Sequence, residues 1–284
     1  IFAFSGMDGP TDSTSGFAAT ADASCYGLLF HTPRRRILSL DVGSQGEVRI
    51  ATGDVFVVDI PSDEGDAQEL VAAFAAWHSL IGVAPEDAVL TLRLEDASPP
   101  AAPGPYQVTL DEEYGDAIVL VRQGRRWAVA YGTTEVQAKT RAEAALDADL
   151  PTLLEDRLAV YNRLPSLEPP EHARLLGKCV SVMRVNTLAP EGVIDQRWST
   201  PDRVPHRHMW LWDSVFHTFG MNLLDPGLAW EFLRAVLERR RDDGMIPHCM
   251  HVDGVISRIT QPPILAWGVW ENYRYLEDRE HLAF

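Results

Sequence analysis

The sequence predicts an α+β multidomain chain: an N-terminal antiparallel β-sandwich, then helices arranged in two concentric layers. Three observations carry this. Short segments rich in Val, Ile, Leu and Tyr, separated by Gly, Asp and Pro, recur as far as Gly132, a pattern of many short antiparallel strands. Near Glu135 the apolar period changes from about two residues to about 3.6. Beyond that point, stretches with one apolar face alternate with stretches apolar on all sides, as outer and inner helices would.

The clearest strands are 27–31, 36–42, 47–51, 55–60, 89–94, 106–110, 117–122 and 126–131. Gln123-Gly124 reads as a tight turn between the last two. One interruption reads as helix. Residues 68–81 are alanine-rich, with Leu70, Val71, Phe74, Trp77 and Ile81 at helical spacing. The proline run 98–105 is a loop, because proline fixes φ and removes a donor.

The helical part begins with 135–164, whose face carries Leu146, Leu150, Leu153, Leu154, Leu158 and Tyr161. Pro151 either kinks this stretch or opens a second helix. Residues 171–186 follow, with a stripe of Leu175, Leu176, Cys179, Val180 and Met183. A polar loop, 189–205, leads into Met209-Trp210-Leu211-Trp212-Asp213-Ser214-Val215-Phe216-His217. Asp225-Pro226 is an N-cap followed by a first-turn proline. The helix after it should bury Ala229, Phe232, Leu233, Val236 and Leu237. It should leave Glu231, Arg234, Glu238, Arg239 and Arg241 as a solvated face, and end at Asp243-Gly244. Pro262-Pro263 opens a helix over 264–276. Its first turns (Ile264, Leu265, Ala266, Trp267, Val269, Trp270) are apolar all round and so predict deep burial. The resulting organisation is a β domain over 1–132, a helical linker over 133–170 and a helical domain over 171–284.

Bulk properties exclude several function classes. The chain of 284 residues is 46% hydrophobic and 23% charged, an ordinary globular composition. Its net charge of -16 argues against nucleic acid and against an anionic membrane surface. Three cysteines, Cys25, Cys179 and Cys249, do not make a disulfide framework and read as free thiols. No apolar run reaches the roughly 18 residues that a membrane span needs. The first residues lack a basic signal-peptide region, which predicts a cytoplasmic location, and lack an initiator methionine, which predicts a processed or trimmed chain.

The chemistry concentrates in three loop-to-helix junctions. They are residues 207–214, with Arg207, Trp210, Trp212 and Asp213; residues 243–248; and residues 257–263, with Gln261. Together they offer indole, carboxylate, guanidinium and amide groups. A planar indole covers the C–H face of a pyranose, and a carboxylate accepts from two adjacent hydroxyls. No glycine-rich phosphate loop is present. Taken alone, Asp213 reads equally as a helix cap or as a partner of Arg207, with the tryptophans as core. His206-x-His208 and His248-Cys249-x-His251 lack a third ligand, so neither metal nor other cofactor is expected. His217, one turn beyond Asp213, reads as a hydrogen-bonded core histidine or a partner of Asp213. Asp111, Glu112, Glu113 and Asp116 read as a solvated acidic loop.

Trp-x-Trp-Asp at a helix start, then Gly-Met-Ile-Pro, then Thr-Gln-Pro-Pro, resembles the first half of the catalytic domain of glycoside hydrolase family 63. That family includes the processing α-glucosidases and bacterial mannosylglycerate or glucosylglycerate hydrolases. Trehalases share a similar order. Here, however, Arg258 stands one position before their arginine, Ile259 occupies its place, and their glycine-rich lead-in is absent before Arg207. The resemblance covers 171–284 by motif and the sheet region by architecture. It implies an (α/α)6 barrel behind a β-rich domain. It also implies an inverting glycosidase acting on an α-linked gluco- or manno-configured oligosaccharide or small glycoside. Trp212 and Asp213 would line the subsite of the sugar to be cleaved, Gln261 would join or orient that wall, and Arg207 and Trp210 would accompany them.

In that family the general acid is an Asp of a Ser-Gly-x-Asp motif beyond the Gln-Pro-Pro helix, and the base is a Glu near the barrel's end. Both are expected beyond Phe284. Ser5-Gly6-Met7-Asp8 has the right letters at the wrong end, and Asp8 reads as a turn residue. Twelve helices need about 200 residues, and 171–284 hold about half. A second chain or segment is therefore expected to complete the barrel. The alternatives are a trehalase, glucoamylase-like or debranching hydrolase of toroid type, and a non-catalytic carbohydrate-binding or structural fragment.

Overall fold

The structure is a computed structural model that describes residues 2–4, 17–22, 24–30, 36–61, 68–94, 104–113, 115–202, 206 and 208–284. Asp8, the prolines of 98–103 and Arg207 lie outside the described residues. By internal contacts the chain forms two compact units, Ile1–Val185 and Asn186–Phe284. Among the described residues, no helix is long and apolar enough to cross a membrane.

The first unit opens with β1 (Phe2–Phe4), β2 (Phe17–Asp22), β3 (Cys25–Phe30), β4 (Arg36–Asp41), β5 (Glu47–Ala51) and β6 (Val55–Ile60). It continues with β7 (Gln68–Ala76), β8 (Ser79–Val83), β9 (Val89–Leu94), β10 (Tyr106–Asp111), β11 (Asp116–Gln123) and β12 (Arg126–Gly132). Helices α1 (Glu135–Leu146), α2 (Leu150–Asn162) and α3 (Pro170–Val185) complete it. The strands pair antiparallel in two sheets, β1-β2-β3-β4-β9 and β10-β11-β12-β8-β7-β6-β5. One apolar cluster takes Tyr26, Leu28, Leu38 and Leu40 from the first sheet and Phe56, Leu70, Phe74 and Trp127 from the second. The other face of the seven-stranded sheet carries the helices. Val57, Val71, Ala73 and Ile81 meet Leu150 and Leu154 of α2, while Val119 and Ala130 meet Ala138 and Ala142 of α1.

That double coverage corrects one expectation: residues 68–81 form the hairpin of β7 and β8 rather than a helix. Leu70, Ala72 and Phe74 face the shared core, and Val71 and Ala73 face α2. A strand buried on both sides loses its polar alternation and mimics helical spacing. Gly82, in β8 of this hairpin, must lack a side chain, since a Cβ there would meet Val71 O at 2.0 Å and the Trp127 ring at 2.3 Å. The β11–β12 turn is tight as expected, with Gln123 paired to Arg126 and Gly124 at φ 57°. Pro151 opens α2 as a separate helix.

The acidic segment also departs from expectation. Glu112 and Glu113 are exposed, but Asp111 and Asp116 are buried. Asp116 takes a bidentate ion pair from the fully buried Arg36, at 2.9 and 2.6 Å. A charge is tolerated inside only when paired in this way. Asp111 accepts from the Glu113 amide at 3.1 Å and so shapes the turn.

The second unit comprises β13 (Thr187–Leu188), β14 (Trp198–Ser199), β15 (Met209–Trp210), α4 (Leu211–Met221), α5 (Pro226–Glu238), β16 (Cys249–Met250), α6 (Leu265–Leu276) and α7 (Arg279–Ala283). Asp225 caps α5 through Leu228 N–H at 2.9 Å, with Pro226 in its first turn. Ala229, Phe232, Leu233 and Val236 are buried as the pattern predicted, and Leu237 packs against the same core. The helix ends at Glu238, before Asp243-Gly244, which forms a separate turn with Gly244 at φ 83°. Its solvated face is also busier than expected, because Glu231 accepts from the Arg197 guanidinium at 2.9 and 2.8 Å and from the Arg197 amide at 3.3 Å.

Helix α6 is not buried all round. Leu265, Gly268 and Asn272 face α4 and α5, whereas Trp267 and Trp270 are 52% and 53% exposed. Its inward stripe is narrow and closely fitted: a Cβ on Gly268 would meet Val215 at 2.7 Å and Leu233 at 3.0 Å. Asn272 donates to Asn222 and to the Pro226 carbonyl, both at 2.8 Å, and so ties the three helices together.

Candidate functional site

The three junctions singled out in the sequence meet at the start of α4. Trp210 is extended (φ -119°, ψ 136°) and gives α4 no side-chain cap. The first amides of a helix have no partner within it, and here the other two junctions supply one. Leu211 N–H donates to the His248 carbonyl at 3.1 Å. Trp212 N–H donates to Gln261 Oε1 at 3.0 Å. The second and third junctions are themselves joined, through His248 N–H to the Ile259 carbonyl at 2.9 Å and Ser257 N–H to the Cys249 carbonyl at 3.0 Å. His248 Nδ1 is hydrogen-bonded to Ser257 Oγ. Pairing of β15 with β16 sets Met209 opposite Met250 and Trp210 opposite Cys249.

Helix periodicity then sorts the side chains of α4. Leu211, Ser214, Val215, Thr218 and Met221 turn inward. Trp212 and Phe216 turn outward, at 41% and 48% exposure. Their rings lie 6.2 Å apart and continue through Phe219 to Trp267, at 6.0 and 4.7 Å. Asp213 is half-buried between the two faces. Burial pushes its carboxyl above the usual range, while its own amide, the Trp212 indole N–H and the nearby His206 pull the other way. A carboxylate so placed keeps acceptor capacity beside an exposed aromatic ring.

Trp210 sits between two imidazoles, with His206 and His248 edge-on at 6.0 and 5.2 Å. Its Nε1 is buried and has no partner among the described residues, nor does Ser214 Oγ. His208 stacks on His251 at 3.5 Å. His217 is a core histidine: it bonds Ser199 Oγ at 2.9 Å, and burial lowers its pKa to about 4. Among the described residues, no group of three or more His, Cys, Asp or Glu could hold a metal ion.

Four of the residues selected from the sequence, Trp210, Trp212, Asp213 and Gln261, therefore share one helix start; the fifth, Arg207, is not described. Sequence reasoning missed the His248 carbonyl and the Ser257 hydroxyl. A backbone acceptor leaves no mark in a sequence, and the serine's only signal was its place in the third junction.

Residues 206–283 match the family model of the mannosylglycerate hydrolase MGH1-like glycoside hydrolase domain. The match spans all three junctions and supports, at a coarse level, a relation to glycoside hydrolase family 63 and a glycoside-hydrolase-type function. Comparison with curated proteins gives no significant match.

Proposed function

We propose that the unit 186–284 carries the sugar-binding part of an inverting glycosidase that acts on an α-linked gluco- or manno-configured oligosaccharide or small glycoside. The observation that supports this best is the meeting of Trp212, Asp213 and Gln261 at one helix start, inside the segment that matches a glycoside hydrolase domain. On this reading the Trp212 face covers the C–H face of the sugar and Asp213 accepts from its hydroxyls. Trp210 and Arg207 line the same subsite.

Inversion uses two carboxyl groups roughly 6.5–9.5 Å apart, one protonating the leaving oxygen and one activating water on the opposite face. Neither role is assigned to Asp213. The two sheets with a shared core are read as a β-sandwich. Helices α4 to α6 are read as part of an (α/α)6 barrel that a further segment or a second chain completes, covering Trp267 and Trp270. Exposed rings of this size on one face support that reading.

Calorimetric titration with maltose, methyl α-glucoside and methyl α-mannoside tests the pocket. At least one should bind, and Asp213→Ala should weaken it by about tenfold or more, the loss of hydrogen bonds to a charged group. Unchanged binding of every sugar in Asp213→Ala would remove the pocket assignment. Binding without hydrolysis of any α-glycoside by the protein would favour a carbohydrate-binding role over catalysis.

A further inference from the structure

The start of α4 is held by atoms that belong to other parts of the chain. An amphipathic helix of this length ordinarily carries Ser, Thr, Asp or Asn at its N-cap, whose side chain takes up an orphan amide. Position 210 is tryptophan and offers no acceptor. Gln261, 49 residues along the chain, supplies the missing one through Oε1. That oxygen is therefore already engaged by the Trp212 amide. Trp212 and Asp213 both lie in the first turn that this cap holds, with the Trp212 ring against Phe216 at 6.2 Å.

We propose that Gln261 is a positioning residue rather than a sugar ligand, and that it sets the orientation of Trp212 and Asp213 by capping α4 from the neighbouring loop. Gln261 is only half-buried and lies in the Thr-Gln-Pro-Pro turn that leads into α6. Pro262 and Pro263 have no amide hydrogen, and proline fixes the backbone at φ near about -65°. The turn thus holds the glutamine in place while giving up no donor that could compete for its oxygen. The neighbouring cap, His248 O to Leu211 N–H, remains when Gln261 is changed. Substitution at 261 should therefore tilt the first turn without dissolving the helix.

The proposal deepens the sugar-site reading and rests on it only for the affinity measurement below. Gln261→Met keeps size and removes the strong acceptor; Gln261→Glu restores it. The first measurement needs no ligand: the Trp212 indole N–H signal in a heteronuclear NMR spectrum, identified by its loss in Trp212→Phe. In Gln261→Met that signal should move, as the indole shifts against the Phe216 ring, and in Gln261→Glu it should return. The second is affinity for whichever of maltose, methyl α-glucoside and methyl α-mannoside the wild type binds. It should fall about tenfold in Gln261→Met, as for one strong hydrogen bond, and recover in Gln261→Glu.

An unmoved indole signal in Gln261→Met, with the helical circular dichroism intact, would overturn the proposal. So would a wild-type indole signal in Gln261→Glu combined with affinity as poor as that of Gln261→Met, because the amide donor would then be touching the sugar. If the wild type binds none of the three sugars, the sugar-site reading falls, and the indole signal still decides the role of Gln261.

Discussion

The two units differ in how many large aromatic rings they leave exposed. In the strand-rich unit Tyr26, Phe30, Phe56, Phe74 and Trp127 are each at most 1% exposed, and the seven-stranded sheet is covered on both faces. In the helical unit Trp212, Phe216, Trp267 and Trp270 are between 41% and 53% exposed. Both units bury rings, the second with Trp198 and Phe232, but the second also presents a row of them. A buried ring contributes through area removed from water and dense contacts. An exposed ring contributes less to folding and leaves its face open.

The largest effect that could break this contrast is at Trp127. Trp127→Ala should destabilise the first unit by about 3–5 kcal/mol, the usual cost of emptying a large core site, read as a shift of the denaturant midpoint. A small shift would mean that the core closes easily around Gly82, and that the first unit is less tightly specified than its burial implies.

A middle effect lies in the histidines. Burial holds His217 at about 4 against its ordinary 6.5. Between these values the unfolded chain binds a proton that the folded unit refuses. The stabilising contribution is thus full above 6.5 and is lost as pH falls towards 4, about 3 kcal/mol in all. His78 in the first unit is likewise lowered to about 4, by burial and then by Arg141. His217→Gln should therefore reduce, without abolishing, the fall in stability across this window. An unchanged pH profile would mean that His217 takes up its proton in the fold as readily as in the unfolded chain.

The smallest effect should come from Trp267→Ala. With the ring half exposed and one aromatic neighbour, Phe219, the loss should be about 1 kcal/mol or less. A loss matching that of Trp127→Ala would show the ring to be covered in solution, and the contrast between units would collapse.

Much of this was legible in the sequence, and the failures are physical. Strands β5, β6 and β9 were legible to the residue because one of their faces alternates or turns bound them. The β7–β8 hairpin was misread because α2 covers its second face, and alanines small enough to admit that helix also favour one. Asp116 looked solvated because its partner, Arg36, is 80 residues away. The burial of α6 was overestimated because all-round apolar character cannot say which neighbours are at hand. At the candidate site the three junctions were legible as motifs. The bonds that fasten them were not, since one uses a main-chain carbonyl and the other spans 49 residues.

The borrowed cap on α4 has a consequence for the order of folding. A helix this short is marginal in isolation, and its first turn stays incomplete until His248 and Gln261, well along the chain, arrive. Closing such loops costs entropy before any contact is gained. The turn bearing Trp212 and Asp213 is therefore among the last parts of its unit to consolidate and among the first to open. The amides of Leu211 and Trp212 should exchange with solvent at the rate set by release of the His248–Gln261 segment, not by fraying of their own helix.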